Sequence, residues 1–211
     1  MTSSAVAWES FARADKTVVT SDEIHEAAKR LGKDPQNTVR HLRREGYLVP
    51  LFKGYYYVRS PEELKLGDPR YNPLEFFALA ANAKGIGTWY FGLHTALSLN
   101  GMTHEDRREE TVISDDLYRI NGVKIGTKRF VVRKWTSDLT RFGITERGLI
   151  RYSDPAKTVL DFAYLDHWNK RKGRAPTRAW VDHLAKVDSE TLDSYLDRYP
   201  DPVCNAVEEH L

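Results

Sequence analysis

One cysteine in 211 residues, Cys204, leaves nothing for an internal disulfide to pair with. That usage fits a reducing compartment. The chain also lacks an apolar run of the roughly 18 residues needed to cross a bilayer. Its opening residues, MTSSAVAWESFARADK, lack the charged and then apolar regions of a secretion signal, so the expectation is a cytoplasmic protein with no membrane partner. Familiar catalytic signatures are missing too. His104-Glu105 has no second histidine at metalloprotease spacing, and there is neither a phosphate-binding glycine loop nor a GxSxG elbow. No enzyme, cofactor or metal site is therefore expected. Asp115-Asp116 reads as the start of a turn, Cys204 as an inert core thiol and His94 as a core histidine. A formal net charge of +2 is too small to argue for a nucleic-acid partner by itself.

What is present is unevenly placed. Hydrophobic residues make up 41% of the chain, enough for a packed core. Cations concentrate in one window: residues 29–59 carry 8 Lys/Arg against 2 Asp/Glu. From residue 61 onward the two signs nearly balance, 22 against 23.

The window coincides with a recognisable order of elements. A first helix is expected over residues 4–15, with Val6, Trp8, Phe11 and Ala12 as its apolar residues, then a short extended TVVT. Thr20 and Glu23 are spaced as a capping box, each satisfying a free N–H of the other. Behind them Ile24, Ala27, Ala28 and Leu31 fall at i, i+3, i+4 and i+7, one face of a helix that Gly32 ends. A second helix then has Asp34 as its cap, Pro35 in its first position and Gly46 as its stop. Val39 and Leu42 face inward. At about 100° per residue, Gln36, Asn37, Arg40, Arg43 and Arg44 share an arc of roughly 120° on the other side. Two helices joined this way, the second polar with Gln, Asn and Arg, are the helix-turn-helix pattern.

The stretch LVPLFKGYYYVR, residues 48–59, follows as a hairpin hinged on Lys53-Gly54. Pro50 lacks a ladder donor and suits an edge strand. Side chains alternate along a strand, so Tyr56 points opposite to Tyr55 and Tyr57. Helix, strand, helix, helix, hairpin is the winged-helix order, and double-stranded DNA is the expected partner. Gln and Asn can pair bidentately with adenine, and Arg with guanine or phosphate. Gln36, Asn37 and Arg40, nearest the helix start, are the candidates for reading bases, and Arg43 and Arg44 for phosphate. Lys53 is the hairpin-tip candidate, and Tyr56 the tyrosine whose face could serve DNA.

Residues 1–60 are thus expected to form a winged helix-turn-helix domain and 61–72, with three prolines and a glycine in SPEELKLGDPRYNP, a linker. Residues 73–211 read as a larger α+β domain, a small antiparallel sheet flanked by helices. PLEFFALAANAKG and YFGLHTALSLNG both read as buried helices, and residues 110–135 as strands with Asn121-Gly122 as a hairpin turn. Asp154-Pro155 starts another helix, and more are expected around 178–187, 191–199 and 203–211. Lys124, Lys128, Arg129, Arg133, Lys134 and Arg141 lie along the strands, where they extend the DNA footprint, meet an acidic protein surface or simply face solvent.

Three segments together carry a family resemblance. LFKGYYYV after the helix-turn-helix, TWYFGLHTAL, and YSDPAKTVLDF resemble the AbiEi family of antitoxins and transcriptional regulators. The matching positions are Phe52, Lys53, Gly54, Tyr56 and Val58; Ala96 and Leu97; and Asp154, Pro155, Lys157, Thr158, Leu160 and Asp161. The resemblance covers roughly residues 20–165. It implies a winged helix that represses its own operon at inverted repeats, which two copies could read together. It also implies a second domain that counteracts a nucleotidyltransferase-like toxin. Two other readings stay open: a stand-alone regulator with a ligand- or protein-binding second domain, and a nuclease built on Asp115-Asp116 or Glu63-Leu64-Lys65.

Overall fold

A computed structural model describes residues 3–211. The architecture is α+β and divides into two compact units, one reaching to Ile86 with Lys124–Thr127 added, the other made of Gly87–Val123 and Lys128–Leu211. Among the described residues no helix is long and apolar enough to cross a membrane.

The first unit runs α1 (Ser3–Arg13), β1 (Val18–Thr20), α2 (Ser21–Arg30), α3 (Pro35–Arg44), β2 (Leu48–Pro50), β3 (Tyr55–Val58), α4 (Pro61–Leu66) and α5 (Pro73–Ala83). Strand β3 lies between β1 and β2 and pairs antiparallel with both, which leaves Pro50 on an edge strand where its missing N–H costs no ladder bond. One face of this sheet closes on α1–α3 through a core of Trp8, Phe11, Val19, Ile24, Leu42, Leu48, Tyr56 and Val58. Ile24 and Leu42 are fully buried, each contributing about 1.5–3 kcal/mol by leaving water. In α1, Ala5 and Ala7 are buried alongside Trp8 and Phe11, whereas Val6, expected on the apolar side, is 42% exposed.

The other face carries Tyr57, whose ring lies 5.0 Å from Phe76 of α5 and 5.5 Å from Tyr71. The alternation expected of the tyrosines therefore separates two cores. The segment expected as a linker is ordered by its own capping chemistry. Ser60 accepts the Glu63 amide at 3.2 Å, Glu63 accepts the Ser60 amide at 2.6 Å, and Gly67 ends the helix with φ of 87°. Two of the three prolines that suggested a loop, Pro61 and Pro73, occupy the first positions of α4 and α5, where a missing N–H is harmless. Helix α5, expected to open the second domain, belongs to the first unit.

The second unit contains β4 (Trp89–Phe91), α6 (Leu93–Leu99), β5 (Glu109–Ser114), all but the last two residues of β6 (Arg119–Ile125), β7 (Lys128–Lys134), a 3-10 turn (Ser137–Leu139), β8 (Ile144–Arg147), β9 (Ile150–Ser153), α7 (Pro155–Arg171), α8 (Val181–Leu184), α9 (Ser189–Leu196) and α10 (Asp201–Glu208). Its six strands are ordered β6-β7-β5-β4-β9-β8. The sheet is mixed and larger than the small antiparallel one expected: β5 pairs parallel with β7, and β4 parallel with β9. Two local readings change with it. The aromatic start of YFGLHTALSLNG is strand β4, fully buried and rich in β-favouring rings. Gly92 separates it from α6, at a point where a Cβ would lie 2.8 Å from Ile113. Asn121-Gly122 lies inside β6, and the chain reverses at Gly126-Thr127 instead. Gly122 has a φ of 72°, a backbone conformation open to glycine, and a Cβ there would meet the Arg129 side chain at 2.5 Å.

Helices α6, α7, α9 and α10 pack around Val159, Leu160, Phe162, Leu192, Val203 and Val207. Within this core Lys157 and Asp161 are fully buried. The Lys157 ammonium donates to the Leu139 carbonyl (2.6 Å), Asp161 (3.0 Å) and Tyr199 (3.2 Å), and lies 4.2 Å from the Phe142 ring centre. Tyr90 and Tyr199 donate their hydroxyls to Asp161 at 2.8 and 2.7 Å. The Asp154 cap accepts the Lys157 amide at 2.8 Å and the Tyr195 hydroxyl at 2.9 Å. The residues DPAKTVLD thus form a helix start with a satisfied ionic core. Cys204 is half-buried in α10, its thiol directed to the Leu196 carbonyl at 3.3 Å and raised above its ordinary pKa by burial.

Candidate nucleic-acid interface

The site is built on α2, the turn after it and α3. Both bonds of the Thr20–Glu23 capping box form, at 2.7 and 3.2 Å, and start α2. Residues 31–34 make the turn, where Gly32 adopts φ of 63°. Asp34 then accepts the Asn37 amide at 2.7 Å, and Pro35 takes the first helical position. Thr38 and Leu42 are the buried residues of α3, with Val39 packed at the core's edge. The outward face follows from that inward one. Gln36, Asn37, Arg40, Arg43 and Arg44 are all exposed, so the structure brings the predicted α3 residues together on one side.

Their side chains differ in freedom. Arg40 donates to Asn37 Oδ1 at 3.0 Å, coupling the two candidates for base reading. Arg44 is engaged at the helix end, with Glu45 at 2.9 Å and His41 at 3.0 Å. Arg43 forms no ion pair among the described residues. Lys29, Arg30 and Lys33, at the end of α2 and in the turn, are exposed as well and extend the positive surface.

The hairpin supplies Lys53 at a different place. The Ser21 amide donates to the Gly54 carbonyl at 2.8 Å, which ties the hairpin tip to the start of α2. Phe52 packs edge-on against Phe77, 5.4 Å between ring centres. Lys53 is left exposed between these anchors. Gln36 and Asn37 lie beyond the far end of α2, a helix about 15 Å long. Tyr56 does not join either group. It is 9% exposed within the core, so its ring seals the sheet to α1–α3 and offers DNA no face.

Two residues to which sequence reasoning gave no structural role hold this arrangement. Arg59 donates to the Glu63 and Gly67 carbonyls at 2.6 and 2.8 Å, while its own carbonyl accepts the Trp8 indole N–H at 2.8 Å. Glu63, one piece of the nuclease reading, accepts from Tyr57, Ser60 and Arg70, so its carboxylate is committed to structure. A capping box beginning at Ser60 was the signal that could have found it.

Comparison with known proteins adds a likeness of shape. No family model matches the chain, and no curated protein matches it. The crystal structure of the RV2827C protein from Mycobacterium tuberculosis is similar, with a TM-score of 0.60 over 96% of this chain and 74% of that one. The two sequences are 17% identical. The likeness is one of fold.

Proposed function

We propose that the first unit is a winged helix-turn-helix and that the protein is a sequence-specific DNA-binding repressor without enzymatic activity. One observation carries the reading: Gln36, Asn37 and Arg40 stand exposed at the start of a helix that follows a short turn, with Arg43 and Arg44 further along the same side. In this reading α3 enters the major groove, the first three residues read base edges, and the two arginines grip phosphate. Lys53 reaches the backbone from the hairpin tip. The resemblance of DPAKTVLD and LFKGYYYV to AbiEi antitoxins extends the proposal to an operon-repressing antitoxin that opposes a nucleotidyltransferase-like toxin, acting in the cytoplasm with two copies on an inverted repeat.

The test is anisotropy titration of a labelled duplex from upstream of the protein's own gene, against a scrambled duplex of equal length, at near-physiological salt. Preference for the upstream duplex by about a thousandfold or more is expected of a specific binder. Equal affinity for both duplexes removes the repressor reading. Co-expression with the neighbouring gene product tests the antitoxin part separately, through rescue of growth.

A further inference from the structure

The second unit holds a cavity of about 1060 Å³ between the end of α7, strand β7 and the segment leading into β6. Its size lies just above the usual range for small-molecule sites, about 300–1,000 Å³. Among the described residues seven large hydrophobic side chains are exposed, and three of them, Tyr118 (54%), Ile120 (41%) and Trp168 (38%), line this one cavity. Deeper in, Trp135 packs edge-on against Tyr164 at 4.9 Å, and Tyr164 against Trp168 at 6.2 Å, a row of rings ending at the surface.

Cations surround the rings. Arg133, Lys134, Lys172 and Arg174 line the cavity against two acids, Asp115 and Asp138. None of the four cations forms an ion pair among the described residues, whereas Asp115 is engaged by the Thr88 amide at 3.2 Å and by Arg141 at 3.8 Å. Lys172 and Arg174 follow α7, where cations complement the helix dipole. That explanation does not reach Arg133 and Lys134, which come from β7. The Arg133 Nε is buried with no hydrogen-bond partner, and Glu109, the carboxylate that most favours its charge, is also paired with Arg129 at 3.7 Å. Arg133 lines the cavity without an ion pair of its own among the described residues, and an incoming anion would supply one.

We propose that this cavity binds a nucleoside 5′-phosphate, its base stacked against Trp168 and Tyr118 and its phosphate held by Arg133 together with Lys172 and Arg174. Aromatic faces give base-tolerant stacking, and a guanidinium fork gives bidentate recognition of phosphate. Arg171 and Lys172 lie 4.8 and 5.9 Å from the Trp168 ring centre, surface cation contacts weak enough for a base to displace. The inference does not rest on the DNA-binding reading, since every residue named belongs to the second unit.

Calorimetric titration of the full chain with the common nucleoside mono-, di- and triphosphates, inorganic phosphate and uncharged nucleosides tests it. At least one nucleotide should bind about tenfold or more tighter than both inorganic phosphate and its own nucleoside. Trp168→Ala and Arg133→Gln should each weaken that binding about tenfold or more. Should either variant fail to fold by circular dichroism, Tyr118→Ala and Lys172→Gln at exposed positions take its place. The proposal is overturned if no nucleotide outcompetes inorganic phosphate, or if the variants bind as the parent does.

Discussion

The Lys157 ammonium meets the Asp161 carboxylate at 3.0 Å, one helical turn apart in α7, with both side chains fully out of solvent. Both ions are held by further hydrogen bonds: the Leu139 carbonyl and the Tyr199 hydroxyl on the lysine, Tyr90 and Tyr199 on the aspartate. Burial alone pushes the Asp161 carboxyl up and the Lys157 ammonium down, so the two ions depend on each other.

Removing one partner should therefore cost far more than removing both. Lys157→Met or Asp161→Leu is expected to destabilise the protein by about 3–5 kcal/mol, and the double replacement by clearly less than their sum. Urea unfolding of the parent, the two single variants and the double variant measures the coupling. Additive losses would show that the pair is not coupled. Gly143 belongs to the same site: its φ is 59° and a Cβ would lie 2.8 Å from that of Lys157, so Gly143→Ala should also destabilise.

Glu63 holds α4 to the sheet through the Tyr57 hydroxyl, at 2.7 and 2.8 Å, and through the Ser60 and Arg70 amides. Glu63→Ala leaves those donors unsatisfied and should cost about 2–3 kcal/mol in a denaturant melt. Tyr57→Phe, which removes one donor and keeps the ring on Phe76, should cost about 1 kcal/mol.

Acid should weaken the cap of α2. Burial works against the Glu23 carboxylate, yet Lys16 and the Thr20 amide and hydroxyl outweigh it and hold its pKa below the ordinary value. A carboxyl lowered in the folded state contributes stability that is complete above its unfolded pKa and disappears as pH falls through the folded one. Glu23→Gln should thus be less stable near neutrality, by under about 1 kcal/mol given its exposure, and converge with the parent at low pH. Thermal melts across the carboxylate range would reveal a constant offset if the cap carries no charge effect.

On DNA, the exposed α3 side chains should separate by role. Arg40→Ala is expected to lose about 1–3 kcal/mol on the preferred duplex and to relax base preference at one position, with folding unchanged. Gel-shift selection on randomised duplexes reads that preference.

Lys53→Ala should instead weaken binding to all duplexes alike and reduce the slope of log affinity against log salt by about one. An unchanged slope would place the hairpin tip away from the phosphates.

Much of the first unit was legible because its signals are local. A capping box, a proline at a helix start and apolar residues at helical spacing act within a few residues, and so the helices, the hairpin and the outward side of α3 could be placed. The exposure of Gln36, Asn37 and Arg40 follows from the burial of Thr38 and Leu42 on the same helix. The role of Tyr56 was less accessible. Alternation assigned it a side but could not say that α1–α3 would cover that side.

The chain alone determined where helices start and stop, and the opposite facing of Tyr56 and Tyr57, since these depend on backbone sterics and neighbouring hydrogen bonds. Only the tertiary structure decided that α5 joins the first unit, that β5 lies parallel to β7, and that Lys157 finds Tyr90 and Tyr199. It also decided that Tyr118, Trp168 and Arg133 line one cavity. Those pairings join residues tens of positions apart, through packing and charge neutralisation that no local periodicity encodes.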